Sequence, residues 1–531
     1  MASPLYGLYP AADFRLTDGR CDDCPTIPQA LWYFANETIA VPKDGILVAS
    51  FTPGVPVDED LRGWLAARPA DAPPEYPSLV WVAAPHVVAG ARMSADAKGA
   101  TDALALLRGI NGVERLSLVP KIPLNRSYFD MSSASFFAQR PVKIRGFVNE
   151  RTIVARTLWP EDFRLERAPP FRPPAANLPL TAALRALIRG DPAGGARSPY
   201  AASTLWQRDP ENDAVQPGRA ALGIMVNGAQ GDDDEAHAGH FALVTGRTQE
   251  DGAIGDWLTN NFYSLDTESE KGILAAPVPL DNYLADLNSG QNWYRPSHMI
   301  VAVFASDRAP ALVQAALNRV YNQFWRHQLV YRHATMNCAS ISVDVLRVLG
   351  WDIPVREPAS RIVAALGYPY LVIKERSIEK AGVAFDYLVE DQTRLLPAAA
   401  FEEIGASLLT YAKAPAGAAK PAGTLALMIA EALEAVLFIR FPQFPSSRAF
   451  GDAPVATPWE FQSRLPAVPQ VVPVPARPFP EALRDADLLP AKRPASSYAA
   501  AVWGVLLLVG IPIYFYRQWR RWREKARSAK R

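Results

Sequence analysis

Two clusters of proline set the first limits on how this chain folds. The chain has 531 residues, of which 48 are proline. One cluster lies at 168–179 (APPFRPPAANLP), and the other holds twelve prolines from Pro442 to Pro494. Because proline fixes φ and lacks a backbone N–H, such runs interrupt helices and sheets. We therefore interpret 166–220 as a junction between folded units and 442–496 as a semi-extended tether.

A long uncharged segment follows the tether. Residues 497–516 (SYAAAVWGVLLLVGIPIYFY) carry no charged side chain, and about 20 residues of helix span the roughly 30 Å hydrocarbon core of a bilayer. The tail at 517–531 has eight Arg or Lys and one Glu. A short basic segment beside a span normally stays cytoplasmic, which favours a single-pass protein with its body on the outer, periplasmic face. Residues 1–19 show no signal-peptide pattern, so the sequence gives no export route.

The charge distribution argues against a nucleic-acid-binding body. The formal net charge is +1, and subtracting the +7 of the tail leaves −6 for the rest of the chain. Proteins that bind nucleic acid concentrate positive charge on a face or stripe, so we expect no nucleic-acid partner. Hydrophobic residues make up 49% of the chain and charged residues 21%. A chain of this length and composition is expected to fold as two or three domains.

Residues 1–165 predict a β-rich module within an α+β fold. Runs rich in β-branched and aromatic residues are typical of strands, and they lie at 45–51, 78–84, 116–120, 142–149 and 151–159, with a helical pattern at 94–110. The module is the expected contact face for a protein partner. Cys21 and Cys24 form a CxxC pair for which we expect a structural role. Redox chemistry and half of a zinc site are the alternatives.

The middle of the chain arranges strands and helices around one histidine and one cysteine. The pattern predicts strands at 221–228, 240–247, 253–265 and 298–304, and a helix at 309–327. A further helix is expected to begin after Asn337, its N-cap, and to stop at Gly350. Cys338 falls in its first turn, where unpaired N–H groups and the helix dipole favour a thiolate. The alternative for Cys338 is a small buried residue that fills space.

A nucleophilic cysteine needs a base and a third group that orients the base. His240 begins a predicted strand and is the candidate base. If this strand and the next one turn near residue 250, Asn260 lies across from His240, and a one-residue slip in register would place Asn261 there. Either amide side chain would fix the imidazole tautomer. Asp256 is the weaker alternative.

The order of these elements resembles the circularly permuted papain-like fold, which includes permuted NlpC-type peptidases and lecithin–retinol acyltransferase-like proteins. GHFALVTGR (239–247) is similar to their His strand, and NCASISVDVLRVLG (337–350) is similar to their Cys helix. The resemblance covers 221–351 and implies a papain-like domain, an antiparallel sheet plus helices, over 221–375. The acyltransferases usually follow the Cys with Glu-His, where Ala339 and Ser340 stand here. Their second-strand histidine is also replaced by asparagines, which favours amide cleavage.

The sequence therefore predicts a membrane-anchored thiol hydrolase of the amidase or peptidase type, with no cofactor and no metal. In such an enzyme His240 takes the proton of Cys338, and the thiolate attacks an acyl carbon. Cell-envelope peptides, glycopeptides and lipid esters are the candidate substrates. The alternative function is a catalytically silent papain-like scaffold in a membrane complex. A metal loop around His237 and a catalytic role for His333 are weaker alternatives.

Helices are expected after the papain-like domain, over 376–441. Within this region, 424–441 (TLALMIAEALEAVLFIRF) is an apolar run that includes Glu431 and Glu434. Two acidic side chains near the middle of a bilayer are costly. We therefore predict a packed or surface helix there rather than a second membrane span.

Overall fold

The computed structural model describes the body of the chain in twelve stretches. They are residues 57–68, 86–93, 115–119, 128–149, 152–189, 199–228, 239–263, 276–325, 329, 331–358, 361–415 and 418–446, with the backbone of short strands at 8–9, 39–42, 79–82, 268–269 and 476–477. Several predicted features lie outside these residues: the strand at 45–51, the helix at 94–110, Cys21 and Cys24, most of the tether and the segment 497–516.

The described residues form an α+β fold. Its α-helices are α1 (Val57–Ala67), α2 (Met131–Ala138), α3 (Leu180–Arg189), α4 (Leu280–Ala285), α5 (Arg308–Trp325), α6 (Cys338–Val348), α7 (Arg361–Glu375), α8 (Ile378–Val389), α9 (Gln392–Leu395), α10 (Pro397–Ala412) and α11 (Thr424–Ala432). Residues Gln291–Trp293 form a 3₁₀ turn. No helix among the described residues combines the length and the hydropathy that crossing a membrane requires.

A seven-stranded antiparallel sheet carries the candidate site. Its strands are β8 (Ala201–Gln207), β9 (Ala220–Asn227), β10 (His240–Arg247), β11 (Leu258–Asn261), β13 (Ala276–Pro279), β14 (Ser297–Phe304) and β15 (Leu433–Phe441). They are arranged in the order β13-β11-β10-β9-β14-β15-β8. Every residue of β9 and β14 is buried, as expected for strands covered on both faces, which read as continuous apolar runs.

The other strands of the described residues form three smaller sheets. β4 (His86–Ala91), β5 (Arg115–Leu118), β6 (Val142–Asn149) and β7 (Thr152–Pro160) form a four-stranded sheet in the order β4-β6-β7-β5. β1 (Leu8–Tyr9), β2 (Ile39–Pro42) and β3 (Leu79–Val82) form a second, and β12 (Glu268–Ser269) pairs with β16 (Ala476–Arg477). β6 and β7 form a hairpin, since Asn149 pairs with Thr152.

The N-terminal module and the large sheet share one hydrophobic core. A single cluster of buried side chains in contact includes residues from Leu61 of α1 to Phe444 after β15. A buried ion pair crosses the same boundary, because Arg145 of β6 donates from Nε to both carboxylate oxygens of Asp281 in α4 at 2.8 Å. The two regions therefore pack as one body.

Two predicted segment boundaries are wrong. The predicted junction at 166–220 contains α3 and β8, and β8 is a strand of the large sheet. The predicted helix at 424–441 ends at Ala432, and 433–441 continues as β15. A fully buried strand is a continuous apolar run, and periodicity alone cannot separate it from a buried helix. The β-branched and aromatic residues of 437–441 (LFIRF) are the sequence signal that indicates a strand there.

Candidate active site

Cys338 is the first residue of α6, and its position is fixed by a capping box. The Asn337 side chain accepts hydrogen bonds from the N–H groups of Ala339 and Ser340, both at 2.9 Å. The Ser340 hydroxyl accepts in return from the N–H of Asn337 at 2.7 Å. These reciprocal bonds satisfy N–H groups that a helix start leaves open. The expected N-cap is thus present, and the capping box places the thiol at the helix start, with a further 3.1 Å bond from the Asn337 amide to Leu395 O.

The thiol lies against the end of β10 where His240 is found. The backbone N–H of Phe241, the residue that follows His240, lies near enough to the sulfur to lower the pKa of the thiol against the rise that burial causes. Helix α6 packs against β10. The hydroxyl of Tyr331 accepts from the N–H of Cys338 at 3.4 Å and also acts to lower the pKa of the thiol. The fold thus brings the cysteine and the histidine, which are far apart in sequence, to one end of the sheet.

Asn261 is the side chain that orients His240. Its amide oxygen lies 2.7 Å from His240 Nε2. An amide oxygen only accepts hydrogen bonds, so Nε2 carries the proton and Nδ1 holds the free lone pair. Such a bond selects the tautomer of the imidazole. His240 can therefore act as a base through Nδ1, while its Nε2–H is held by the neutral amide of Asn261.

The register between β10 and β11 differs from the predicted one by three residues. Asn260 pairs with Leu243, not with His240. The Asn260 amide donates to Leu243 O at 3.1 Å and exchanges two 2.9 Å bonds with the Gln314 side chain of α5. Because side chains alternate along a strand, Asn261 then lies on the face of His240 and Asn260 lies on the other. The loop before β11 is held by its own contacts, including a 3.0 Å bond from Trp257 Nε1 to Arg247 O.

We expect the two asparagines to respond differently to removal. Asn261→Ala frees the imidazole and should lower the alkylation rate of Cys338, with a shifted pH profile, by less than the roughly 10²–10⁴-fold that a general base contributes, because the base itself remains. Asn260→Ala removes two hydrogen bonds from the buried Gln314 amide. It should therefore cost about 1–3 kcal/mol of stability, and the pH profile of Cys338 alkylation should stay unchanged. The test measures, for both variants, the alkylation rate of Cys338 across pH and the free energy of unfolding in urea. An altered profile in Asn260→Ala alone would reverse the assignment.

Two further residues belong to this site and carried no sequence signal. The buried Arg295 donates to the Gln291 side chain at 2.9 Å and to Gly228 O at 3.0 Å. Its positive charge lowers the pKa of His240 and also acts on the Cys338 thiol. Tyr331 comes from the loop before α6. Neither lies in a local pattern that indicates catalysis, so only the folded chain reveals them.

The resting site holds two neutral groups. Burial raises the pKa of the Cys338 thiol, although the Phe241 and Ala339 N–H groups, the Tyr331 hydroxyl and Arg295 all oppose that rise. Burial, followed by the charge of Arg295, lowers the pKa of His240 to about 3. At neutral pH this end of the sheet therefore holds a thiol and a neutral imidazole. Moving the proton from sulfur to nitrogen creates both charges together, next to donors that already face the sulfur.

Acid should destabilise the fold through two buried histidines. His240 and His298 both have a pKa of about 3, against about 6.5 in an unfolded chain. Between these values only the unfolded state binds the proton, so stability is full above pH 6.5 and falls as pH drops. The slope is about 1.4 kcal/mol per pH unit for each histidine. We expect His298→Gln to reduce the slope of the unfolding free energy between pH 5.5 and 4 by about that amount. An unchanged slope would contradict the assignment.

The other sequence candidates lie elsewhere or outside the described residues. Asp256, the alternative orienter, is paired with Lys143 at 2.7 Å and with Arg145. The exposed His333 lies near enough to lower the pKa of His240. His237 lies outside the described residues, within which no group of three His, Cys, Asp or Glu side chains is arranged to hold a metal ion.

Comparison with known proteins gives no family model, no curated protein and no solved structure that matches this chain.

Proposed function

We propose that this chain is a thiol hydrolase of the amidase or peptidase type, built on a permuted papain-like domain. One observation carries the proposal: at the end of the sheet where Cys338 begins α6, the His240 imidazole has its Nε2 held by the Asn261 amide oxygen at 2.7 Å. A buried cysteine that only fills space needs no histidine of fixed tautomer at the same end of the sheet. A nucleophile with its base and orienting group needs this arrangement.

The mechanism follows from the atoms around the sulfur. His240 Nδ1 takes the thiol proton of Cys338, and the thiolate attacks the acyl carbon of the substrate. The oxyanion forms beside the N–H of Cys338, which faces the Tyr331 hydroxyl in the resting site, because the N–H groups of Ala339 and Ser340 are bonded to the Asn337 side chain. The imidazolium then protonates the departing amine or alcohol, leaving a thioester. Water that loses a proton to the imidazole releases the acid and restores the thiol.

An acyl-transfer probe tests this function. An activated acyl ester or amide, incubated with the full chain at neutral pH, should leave an acyl group on Cys338 that mass spectrometry locates in the peptide containing α6. Cys338→Ala should abolish the adduct and any turnover of a peptide, glycopeptide or ester substrate. Acylation at neutral pH that persists on other residues at an equal rate in Cys338→Ala would refute the hydrolase.

The burial of the site favours a second candidate, the catalytically silent scaffold. Cys338 is only 4% exposed, and burial raises the pKa of its thiol. A scaffold would keep the papain-like packing and react with probes only at alkaline pH or after unfolding. The pH at which native Cys338 becomes acylated separates the two functions, since the hydrolase reacts near neutrality.

We also propose that 497–516 anchors the body to a membrane. Deleting 497–531 should convert the chain from resistant to extractable in an alkaline carbonate wash, because only a spanning helix gives effectively irreversible insertion. The described body ends at 446, so the deletion leaves it intact. A full chain that is itself extracted by carbonate would contradict the anchor.

A further inference from the structure

Exposed apolar side chains are concentrated in one helical hairpin. Eight of the thirteen large hydrophobic side chains that the described residues expose lie in α7 and α8. They are Ile362, Val363, Leu366, Tyr370, Ile373, Ile378, Val383 and Tyr387. Ile373 is 77% exposed and Ile362 is 73% exposed. Scattered single hydrophobics on a surface are ordinary, but a contiguous set marks a contact surface.

The hairpin stands out from the body. Helices α7 and α8 pack chiefly against each other, through Ala364 and Ala381 and an edge contact between Tyr368 and Phe385 at 6.0 Å. Its base is tied to the body, where Arg356 pairs with Glu403 at 2.6 Å. The five exposed side chains of α7 share one face of the helix, since residues 362, 363, 366, 370 and 373 have helical spacing.

We infer that this α7–α8 arm docks on the surface of a lipid bilayer. Residues 362–373 (IVAALGYPYLVI) carry no charge, while Arg361, Lys374, Arg376 and Lys380 lie at the helix ends. A helix of 15 residues is about 22 Å long, too short for the roughly 30 Å core. The arm therefore lies in the interface, with its apolar side chains below the headgroups and its cations beside the phosphates.

Three features favour a bilayer over a protein partner. A fluid surface accommodates the apolar face of α7 without a complementary groove. Glu375, Glu379 and Asp386 offset most of the positive charge, so apolar contact carries the binding and salt should weaken it little. The body ends about 50 residues before the predicted span at 497–516, a tether of up to about 150 Å when extended. The membrane that this span crosses is thus within reach of the arm.

Docking of the arm would hold the thiol site near the lipid surface. Tyr387 at the base of α8 lies close enough to Tyr331 to contribute to the rise in the pKa of Tyr331, which burial and Cys338 cause first. Tyr331 in turn contacts Cys338. The arm remains a membrane element even if Cys338 is catalytically silent, so its test is independent of the proposed hydrolase.

Photolabelling from the lipid phase tests the arm in the full chain. The protein is reconstituted in phosphatidylethanolamine–phosphatidylglycerol vesicles that contain a diazirine phospholipid, irradiated and digested with trypsin. Cleavage after Arg361, Lys374, Lys380 and Arg394 yields peptides 362–374 and 381–394. We expect lipid adducts on these peptides about tenfold above peptides of the body, as interfacial burial of an apolar face implies, and the same yield in 1 M salt.

A matched pair of variants gives the control. Leu366→Glu with Ile373→Glu should reduce adducts on the arm to the level of the body. Phe171→Glu, which changes a side chain that is 64% exposed on the body, should leave them unchanged. Adducts at body level in the unaltered chain would overturn the inference. Lysine cross-links joining Lys374 or Lys380 of two copies, without lipid adducts, would instead assign the surface to self-association and also overturn it.

Discussion

Removal of the His240 imidazole is expected to slow alkylation of Cys338 by about 100-fold or more at neutral pH, since general base catalysis contributes about 10²–10⁴-fold. The thiol is buried and its pKa is raised, so few molecules carry a thiolate unless a neighbouring base accepts the proton. His240→Ala deletes that base and leaves the N–H donors of α6 in place. The measurement is the second-order rate of iodoacetamide modification at Cys338, followed by peptide mass spectrometry.

His298→Ala is the matched control for this experiment. His298 is also a buried strand histidine with a pKa lowered to about 3, but its ring stacks on Phe438 at 5.9 Å on another strand pair. Loss of either histidine opens a similar cavity, so any general loosening should affect both variants. Equal rates in His240→Ala and the unaltered protein, with the fold intact, would remove His240 from the site and favour the scaffold.

Asp281→Ala is expected to cost about 3–5 kcal/mol of unfolding free energy, the usual result of removing one partner from a buried ion pair. The Asp281 side chain is fully buried, and it accepts from Arg145 and, at 2.8 Å, from Lys143. Its loss leaves two poorly exposed cations with Asp256 as the shared acid. Urea unfolding at neutral pH measures the change.

The variant Asp162→Ala tests whether burial of the ion pair causes the large stability loss expected for Asp281→Ala. Asp162 pairs with Arg140 at 3.0 Å, a similar distance, but its side chain is 49% exposed. An exposed pair is worth about 0–1 kcal/mol, so this variant should unfold almost as the parent does. A loss below about 1 kcal/mol in Asp281→Ala would show that the pair between β6 and α4 contributes little.

Local patterns predicted the two elements that carry the site. Strand β10 and helix α6 begin at His240 and Cys338, as expected, because side-chain periodicity and an Asn N-cap act within a few residues. The α+β class is also confirmed. The permuted papain-like assignment remains a proposal, since it rests on the order of these elements and on two short motifs.

Features that depend on distant contacts were not predictable from the sequence. The register of β11 follows from packing in the 248–257 loop, and that register decides which asparagine meets His240. Arg295 and Tyr331 reach the thiol only through the three-dimensional fold. The sequence pattern predicts a helix over the residues of β15, because a strand buried on both faces lacks the alternation of apolar and polar side chains that identifies strands.

The position of β15 also orders the events of synthesis. This strand lies between β14 and β8, so a nascent chain that stops before 433 leaves both neighbours with open edges, which invite pairing with other chains. The sheet can close only when residues up to 441 have been made, and such long-range pairing is slow. The predicted tether at 442–496 separates this strand from the apolar segment at 497–516. A ribosome therefore makes all seven strands of this sheet before it produces the part of the chain that we expect to enter the bilayer.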